Sequence, residues 1–119
     1  MNVLVVDDSN FIRLNIINYL NNNNITVIGQ ASNGNEAINL YEKLRPDIVT
    51  MDITMPDMDG VEAVKKIVEI DPHAKIIMCS ALGQQGKIIE AMEAGAKSFL
   101  TKPLNEERIV MEINKVITS

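Results

Sequence analysis

The sequence predicts an α/β domain, a doubly wound (βα)5 arrangement in which five parallel strands form one sheet with helices on both faces. Three observations lead there. Four short, mostly apolar runs each stop at a charged or hydroxyl residue: Val3 to Val6 at Asp7-Asp8, Ile48 to Met51 at Asp52, Ile76 to Cys79 at Ser80, and Phe99 to Thr101 at Lys102-Pro103. These runs are rich in Val and Ile and polar on neither face, as strands buried on both sides of a parallel sheet are. Helical spacing of apolar residues fills the intervals. Because parallel strands end at the same edge, three carboxylates, a hydroxyl and an ammonium are expected to converge where open α/β sheets bind ligands.

After the first strand, Phe11, Ile12, Leu14, Ile16, Ile17 and Leu20 recur as one broad buried helical face, and Asn21 to Asn24 form a short loop. Ile25 to Ala31 reads as the second strand. Asn33-Gly34-Asn35-Glu36 resembles a capping box before a helix carrying Ala37, Ile38, Leu40, Tyr41 and Leu44, which Pro46 ends. The third strand runs from about Asp47 to Asp52. Across the loop Thr54 to Gly60, Asp59 is placed to cap a helix with Glu62 three residues on, whose apolar face is Val61, Val64, Ile67, Val68 and Ile70. Asp71-Pro72 breaks that pattern.

Lys75 to Ser80 is the fourth strand, and Gly83-Gln84-Gln85-Gly86 opens a helix through about Ala94, with Gly95 as the left-handed stop. Ser98 to Thr101 is the fifth strand. Asn105, followed by Glu106 and Glu107, starts a last helix facing the core through Ile109, Val110, Ile113, Val116 and Ile117. Nothing remains beyond it, so one domain over residues 1–119 is expected, without repeat or linker. Met51, Met78, Met92 and Met111 fall on apolar positions and read as core filling.

A chain of 119 residues can bury a single core without disulfides or a structural metal. The 46% hydrophobic and 23% charged composition excludes a disordered chain. A net charge of −5 without a basic stripe argues against nucleic acid as a partner. No apolar stretch approaches the roughly 20 residues that span a bilayer, so no membrane association is expected. Met1 leads directly into Val3 to Val6 without the pattern of a secretory signal, and the expected compartment is the cytoplasm. The single Cys79 permits no internal disulfide and lies in an apolar run, as a buried core thiol does. His73 follows Pro72 in a loop and reads as a solvated residue.

Three carboxylates at one edge repel one another, and a cation resolves the conflict. Asp7, Asp8 and Asp52 offer hard oxygen ligands, too few for a Ca²⁺ cage of six to eight oxygens but suited to Mg²⁺ that keeps water and takes a phosphoryl oxygen. A carboxylate beside Mg²⁺ can be a phosphoryl acceptor, and Asp52, alone at its strand end, is the candidate nucleophile. Phosphoryl transfer needs positioning and charge neutralisation, which Lys102 and the Ser80 hydroxyl can supply. Taken singly, each of these residues has an ordinary reading as a cap, turn or loop residue. Taken jointly, in this order and each at a strand end, they point to phosphoryl chemistry.

At this point the sequence resembles the response-regulator receiver domains, and among them the single-domain, CheY-like chemotaxis regulators. The resemblance rests on Leu4-Val5-Val6-Asp7-Asp8-Ser9, Asp47 to Pro56, Asp59-Gly60, Cys79-Ser80-Ala81 and Gly95 to Pro103, and it covers essentially the whole chain. It implies the flavodoxin-like strand order 2-1-3-4-5. It further implies that Asp52 becomes the 4-aspartylphosphate, receiving its phosphoryl group from the phosphohistidine of a chemotaxis-type histidine kinase. Asp8, Asp52 and the backbone carbonyl of Thr54 are then direct Mg²⁺ ligands, Asp7 acts largely through water, and Lys102 contacts the phosphoryl group. The Lys102-Pro103 bond is expected to be cis.

Ser80 and Phe99 resemble the family's switch pair, in which the hydroxyl moves toward the phosphoryl group and the ring turns inward. Ser80 stands where the family often has Thr, and Phe99 where many chemotaxis regulators have Tyr. The inward packing survives this change, whereas an effector contact through a phenol oxygen does not. The implied protein is not an enzyme with a separate substrate but a monomeric signalling switch that assists its own phosphorylation and dephosphorylation. Its implied partners are the kinase, a flagellar motor switch protein and a phosphatase.

Other readings predict different observations. A stand-alone phosphorelay regulator, or the receiver of a larger transcription factor, would share every motif. A haloacid dehalogenase-type phosphatase shares the nucleophilic Asp and Mg²⁺, but that family has a second Asp where this chain has Thr54. A flavodoxin-like electron carrier shares the strand order, yet Asp7-Asp8 would repel the FMN phosphate, and two Tyr, two Phe and no Trp supply little to flank its ring.

Overall fold

Five strands and five helices alternate along the computed structural model, which describes residues 1–119: β1 (Asn2–Val6), α1 (Asn10–Asn21), β2 (Thr26–Ala31), α2 (Gly34–Leu44), β3 (Ile48–Asp52), α3 (Gly60–Ile70), β4 (Ile76–Ser80), α4 (Gln85–Ala94), β5 (Ser98–Thr101) and α5 (Glu106–Ile117). All neighbouring strands are parallel, in the order β2-β1-β3-β4-β5. Val5, Thr50 and Ile77 are register partners across the three central strands, and Met51 lies between Val6 and Met78. This alignment brings the C-terminal ends of β1, β3 and β4 side by side.

Alternation of side chains along the strands builds a core on each face. Leu4, Val49, Met51, Ile76 and Met78 pack under α2, α3 and α4 with Ala37, Tyr41, Val64, Ile67 and Ala91. Val3, Val5, Ile48, Ile77 and Leu100 pack under α1 and α5 with Ile16, Leu20, Ile109, Ile113 and Val116. Every residue of β3 and β4 is buried, which explains why their sequences lack polar alternation.

Element ends follow local chemistry. Ser9, Asn33, Asp59 and Asn105 cap α1, α2, α3 and α5, each side chain accepting a backbone N–H three residues on. Glu36 closes its box on the Ser32 N–H at 2.8 Å and on the Ser32 hydroxyl at 2.6 Å, one residue earlier than a standard capping box. Ser32 thereby holds the Glu36 carboxyl below its usual pKa. Gly95 ends α4 with φ 124°, and Arg45, left-handed at φ 44°, ends α2 ahead of Pro46.

Three expectations about burial are corrected. Phe11 and Leu14 do not face the core, being 73% and 48% exposed, because six apolar residues spread over α1 exceed what one helical face can turn to the sheet. Met92 and Met111 are exposed while Met51 and Met78 are fully buried, since only the latter two lie on strands at the sheet centre. In β5 only Leu100 is buried, because this strand is an edge, covered less than β3 and β4. Cys79 is buried and its thiol is pushed up to about 12 by burial, and His73 is an exposed loop residue, both as expected. No helix is long and apolar enough to cross a membrane.

Candidate functional site

Asp7 is the last buried residue of the first run, 1% exposed, and both its carboxylate oxygens are engaged. Oδ1 accepts the Ser9 N–H at 2.9 Å, and Oδ2 accepts from Lys102 Nζ at 3.1 Å. The loop is pinned from outside by Arg13, one helical turn into α1, whose Nη1 donates to the Asp7 carbonyl at 2.6 Å. The same guanidinium reaches Gln30 on β2 and Asn10. Asp8, the next residue, turns to the surface.

Asp52 closes β3 and is also buried, with Oδ1 3.1 Å from Lys102 Nζ. Its backbone is enclosed by Gly60, the first residue of α3, where an added Cβ would stand 2.1 Å from the Asp52 carbonyl oxygen. Only glycine permits this approach. The Gly60 N–H donates to the Ile53 carbonyl at 2.6 Å, so the start of α3 is bonded directly to the residue that follows β3. Thr54 emerges at the surface two residues past Asp52.

Lys102 follows β5, and its peptide bond to Pro103 is cis, as expected. Its backbone N–H donates to the Ser80 carbonyl at 2.7 Å, which places the side chain over the ends of β3 and β1. The carboxylates of Asp7, Asp8 and Asp52 each offer an oxygen within 4.8 Å of the others. Burial raises the Asp52 carboxyl to about 6, reinforced by Asp7 and Asp8 and opposed by Lys102. Burial also works against the Lys102 charge, but Asp52 and Asp7 outweigh it and hold the ammonium above the usual lysine value. A hard-oxygen cluster short of cationic partners suits a small divalent cation.

The sequence-predicted residues are therefore brought to one edge, with two in particular orientations. Ser80 is fully buried and its hydroxyl donates to the Leu100 carbonyl at 3.4 Å, a long bond directed at β5 and not at Asp52. Phe99 faces outward, 45% exposed. Between them and α4 lies a cavity of about 550 Å³ lined by Ser80, Ile88, Met92 and Phe99 among others.

Sequence reasoning missed Ser9, Arg13 and Gln84. Ser9 carried the ordinary signal of a hydroxyl just before a helix. Arg13 and Gln84 carried none, since their bonds reach Asp7 and Thr54, on other loops.

Residues 3–114 match the response regulator receiver domain. The chain belongs to the response regulator receiver family. It is 53% identical to the chemotaxis protein CheY of Thermotoga maritima over 114 residues, 96% of this chain and 95% of that protein. It is 49% identical to CheY of Bacillus subtilis over 115 residues, 97% of this chain and 96% of that one. A chain of the solved CheX-CheY-BeF3-Mg2+ complex from Borrelia burgdorferi superposes with TM-score 0.95 at 36% identity, covering all of this chain and 90% of that one. As a CheY-like receiver, the protein is a signalling component of the two-component class.

Proposed function

We propose that this receiver is a chemotaxis switch in which Asp52 accepts a phosphoryl group from the phosphohistidine of a histidine kinase. The observation that carries this reading is the single ammonium of Lys102 held 3.1 Å from both Asp52 and Asp7, at an edge that also presents Asp8. An Asp52 oxygen attacks phosphorus, a P–O bond forms and the P–N bond to the donor imidazole breaks. The departing ring nitrogen keeps the electron pair and takes up a proton from solvent. Lys102 meets the charge on one equatorial oxygen, and the Ser80 hydroxyl, released from Leu100, meets another.

Asp8, Asp52 and the Thr54 carbonyl would hold Mg²⁺ directly, and Asp7 would act through water, since Ser9 and Lys102 already engage its two oxygens. When bound, Mg²⁺ supplies positive charge shared between the acceptor and the phosphoryl oxygens.

Ser80 leaving Leu100 empties space that the Phe99 ring can enter through the adjoining cavity. The surface of α4, β5 and α5 thereby changes with phosphorylation, a population shift between two arrangements. We assign the output to a flagellar motor switch component, and place a phosphatase as the partner that resets the switch. The whole chain acts as one monomeric domain in the cytoplasm.

Incubation with acetyl phosphate, with and without Mg²⁺, tests the reading by intact mass. One phosphoryl group on wild type, lost on Asp52→Asn or on removing the metal, is expected. Equal labelling of the variant would overturn the assignment.

A further inference from the structure

Gln84 makes two hydrogen bonds that the roles assigned above do not use. It occupies the N-cap position of α4 yet makes no capping bond. Its Oε1 instead accepts the Ala81 N–H at 2.7 Å, and its Nε2 donates to the Thr54 Oγ1 at 2.6 Å. One side-chain amide therefore ties the loop after β4 to the loop after β3, which begins directly after Asp52. A second tie runs alongside, from Lys87 in the first turn of α4 to Asp59, the cap of α3, at 3.3 Å.

We propose that Gln84 is a positioning residue that holds the receiver in its resting arrangement by clasping these two loops together. The inference rests on the phosphoacceptor reading of Asp52. Ser80 and Ala81 share a peptide bond, so any backbone movement of this loop that accompanies the turn of the Ser80 hydroxyl from Leu100 toward Asp52 shifts the Ala81 N–H that Gln84 holds. The clasp must open or stretch for that movement. Around it space is open: Gly83, at φ 86°, and Gly86, in the first turn of α4, would each place a Cβ more than 4 Å from any atom outside their chain neighbours and the helix's own backbone. What ties this loop to the loop after β3 is therefore the Gln84 bonds, with the Lys87–Asp59 pair beside them, and not packing at its glycines. A clasp of two neutral bonds is also the right strength for a switch. Each contributes modestly in net terms, so a phosphoryl dianion, a stronger acceptor than an amide oxygen, can displace it.

The test is a double-mutant cycle on the full chain with Mg²⁺ and beryllofluoride, a phosphoryl mimic, followed by fluorine NMR of the bound form. Gln84→Met keeps the length of the side chain and removes both bonds, and Thr54→Val removes one acceptor. Gln84→Met is expected to bind beryllofluoride roughly three- to tenfold more tightly than wild type. Thr54→Val is expected to add less in the Gln84→Met background than in wild type. A merely structural Gln84 would lower the melting temperature and leave this affinity unchanged. Unchanged or weaker affinity, or strictly additive effects of the two substitutions, overturns the clasp. Failure of wild type to bind the mimic at all would instead overturn the phosphoacceptor reading beneath it.

Discussion

Lys102 Nζ stands 3.1 Å from Asp52 Oδ1 across fifty residues of sequence, and the same ammonium is 3.1 Å from Asp7. The lysine thus serves the unphosphorylated protein as well, as the cation that lets two buried carboxylates share one edge. Lys102→Met is expected to destabilise the metal-free protein by about 1–3 kcal/mol, below the cost of breaking a fully buried pair because the lysine is partly solvated. Denaturant unfolding in chelator checks this. A variant as stable as wild type would mean that the pairing carries no net weight.

The Asp52 carboxyl, raised to about 6 from an ordinary 3.8, gives stability a pH dependence. Between those values the unfolded chain has released its proton and the folded chain has kept it. Stability contributed by this group is therefore full below about 4 and lost as pH rises through about 6. Asp52→Asn removes the slope and is expected to be more stable than wild type at pH 7 without metal, by about 1–2 kcal/mol after allowance for solvent screening. The difference between wild-type and variant unfolding curves from pH 4 to 8 reads it. Because a metal needs the ionised carboxylate, Mg²⁺ affinity should fall below about pH 6.

Gly60 and Gly86 respond oppositely to alanine. Both lie in the first turn of a helix, where Ala is favoured over Gly by up to about 1 kcal/mol. At Gly60 the new Cβ meets the Asp52 carbonyl oxygen at 2.1 Å, and neither backbone can yield cheaply. Gly60→Ala is expected to lose at least about 1–3 kcal/mol and to displace Asp52, whereas Gly86→Ala, with open space around it, is neutral or stabilising. Paired thermal melts settle the comparison.

Thr50 lies two residues before Asp52 on the central strand, between Val5 and Ile77, and its buried hydroxyl has no hydrogen-bond partner. Thr50→Val keeps the shape and removes a desolvated polar atom. It is expected to be neutral or to stabilise by about 1 kcal/mol. A loss of more than that in denaturant unfolding would place a bonded water on the hydroxyl.

The strands and the gathering of the candidate residues at one edge were legible in the sequence for one physical reason. Central strands of a parallel sheet are buried on both faces, so β1, β3 and β4 read as mostly apolar runs, broken only by Thr50 in β3, and their polar stops mark one edge. Faces with less to bury were harder. Phe11, Leu14, Met92 and Met111 fit a helical period yet face solvent, because periodicity gives a direction and not the width of the surface that receives it. Least legible were the ties between loops. Arg13 on the Asp7 carbonyl and Gln84 between Ala81 and Thr54 depend on where the fold places each loop, and no local pattern encodes that.

The central claim, that Asp52 is the phosphoryl acceptor, is tested most directly by trapping the product. Protein phosphorylated in the presence of Mg²⁺ is reduced with borohydride, which converts an aspartyl phosphate to homoserine, and is then mapped by peptide mass spectrometry. The expected result is homoserine at position 52, absent from the sample prepared without metal. Reduction at any other residue, or phosphorylated protein with position 52 still aspartate after reduction, would contradict the account.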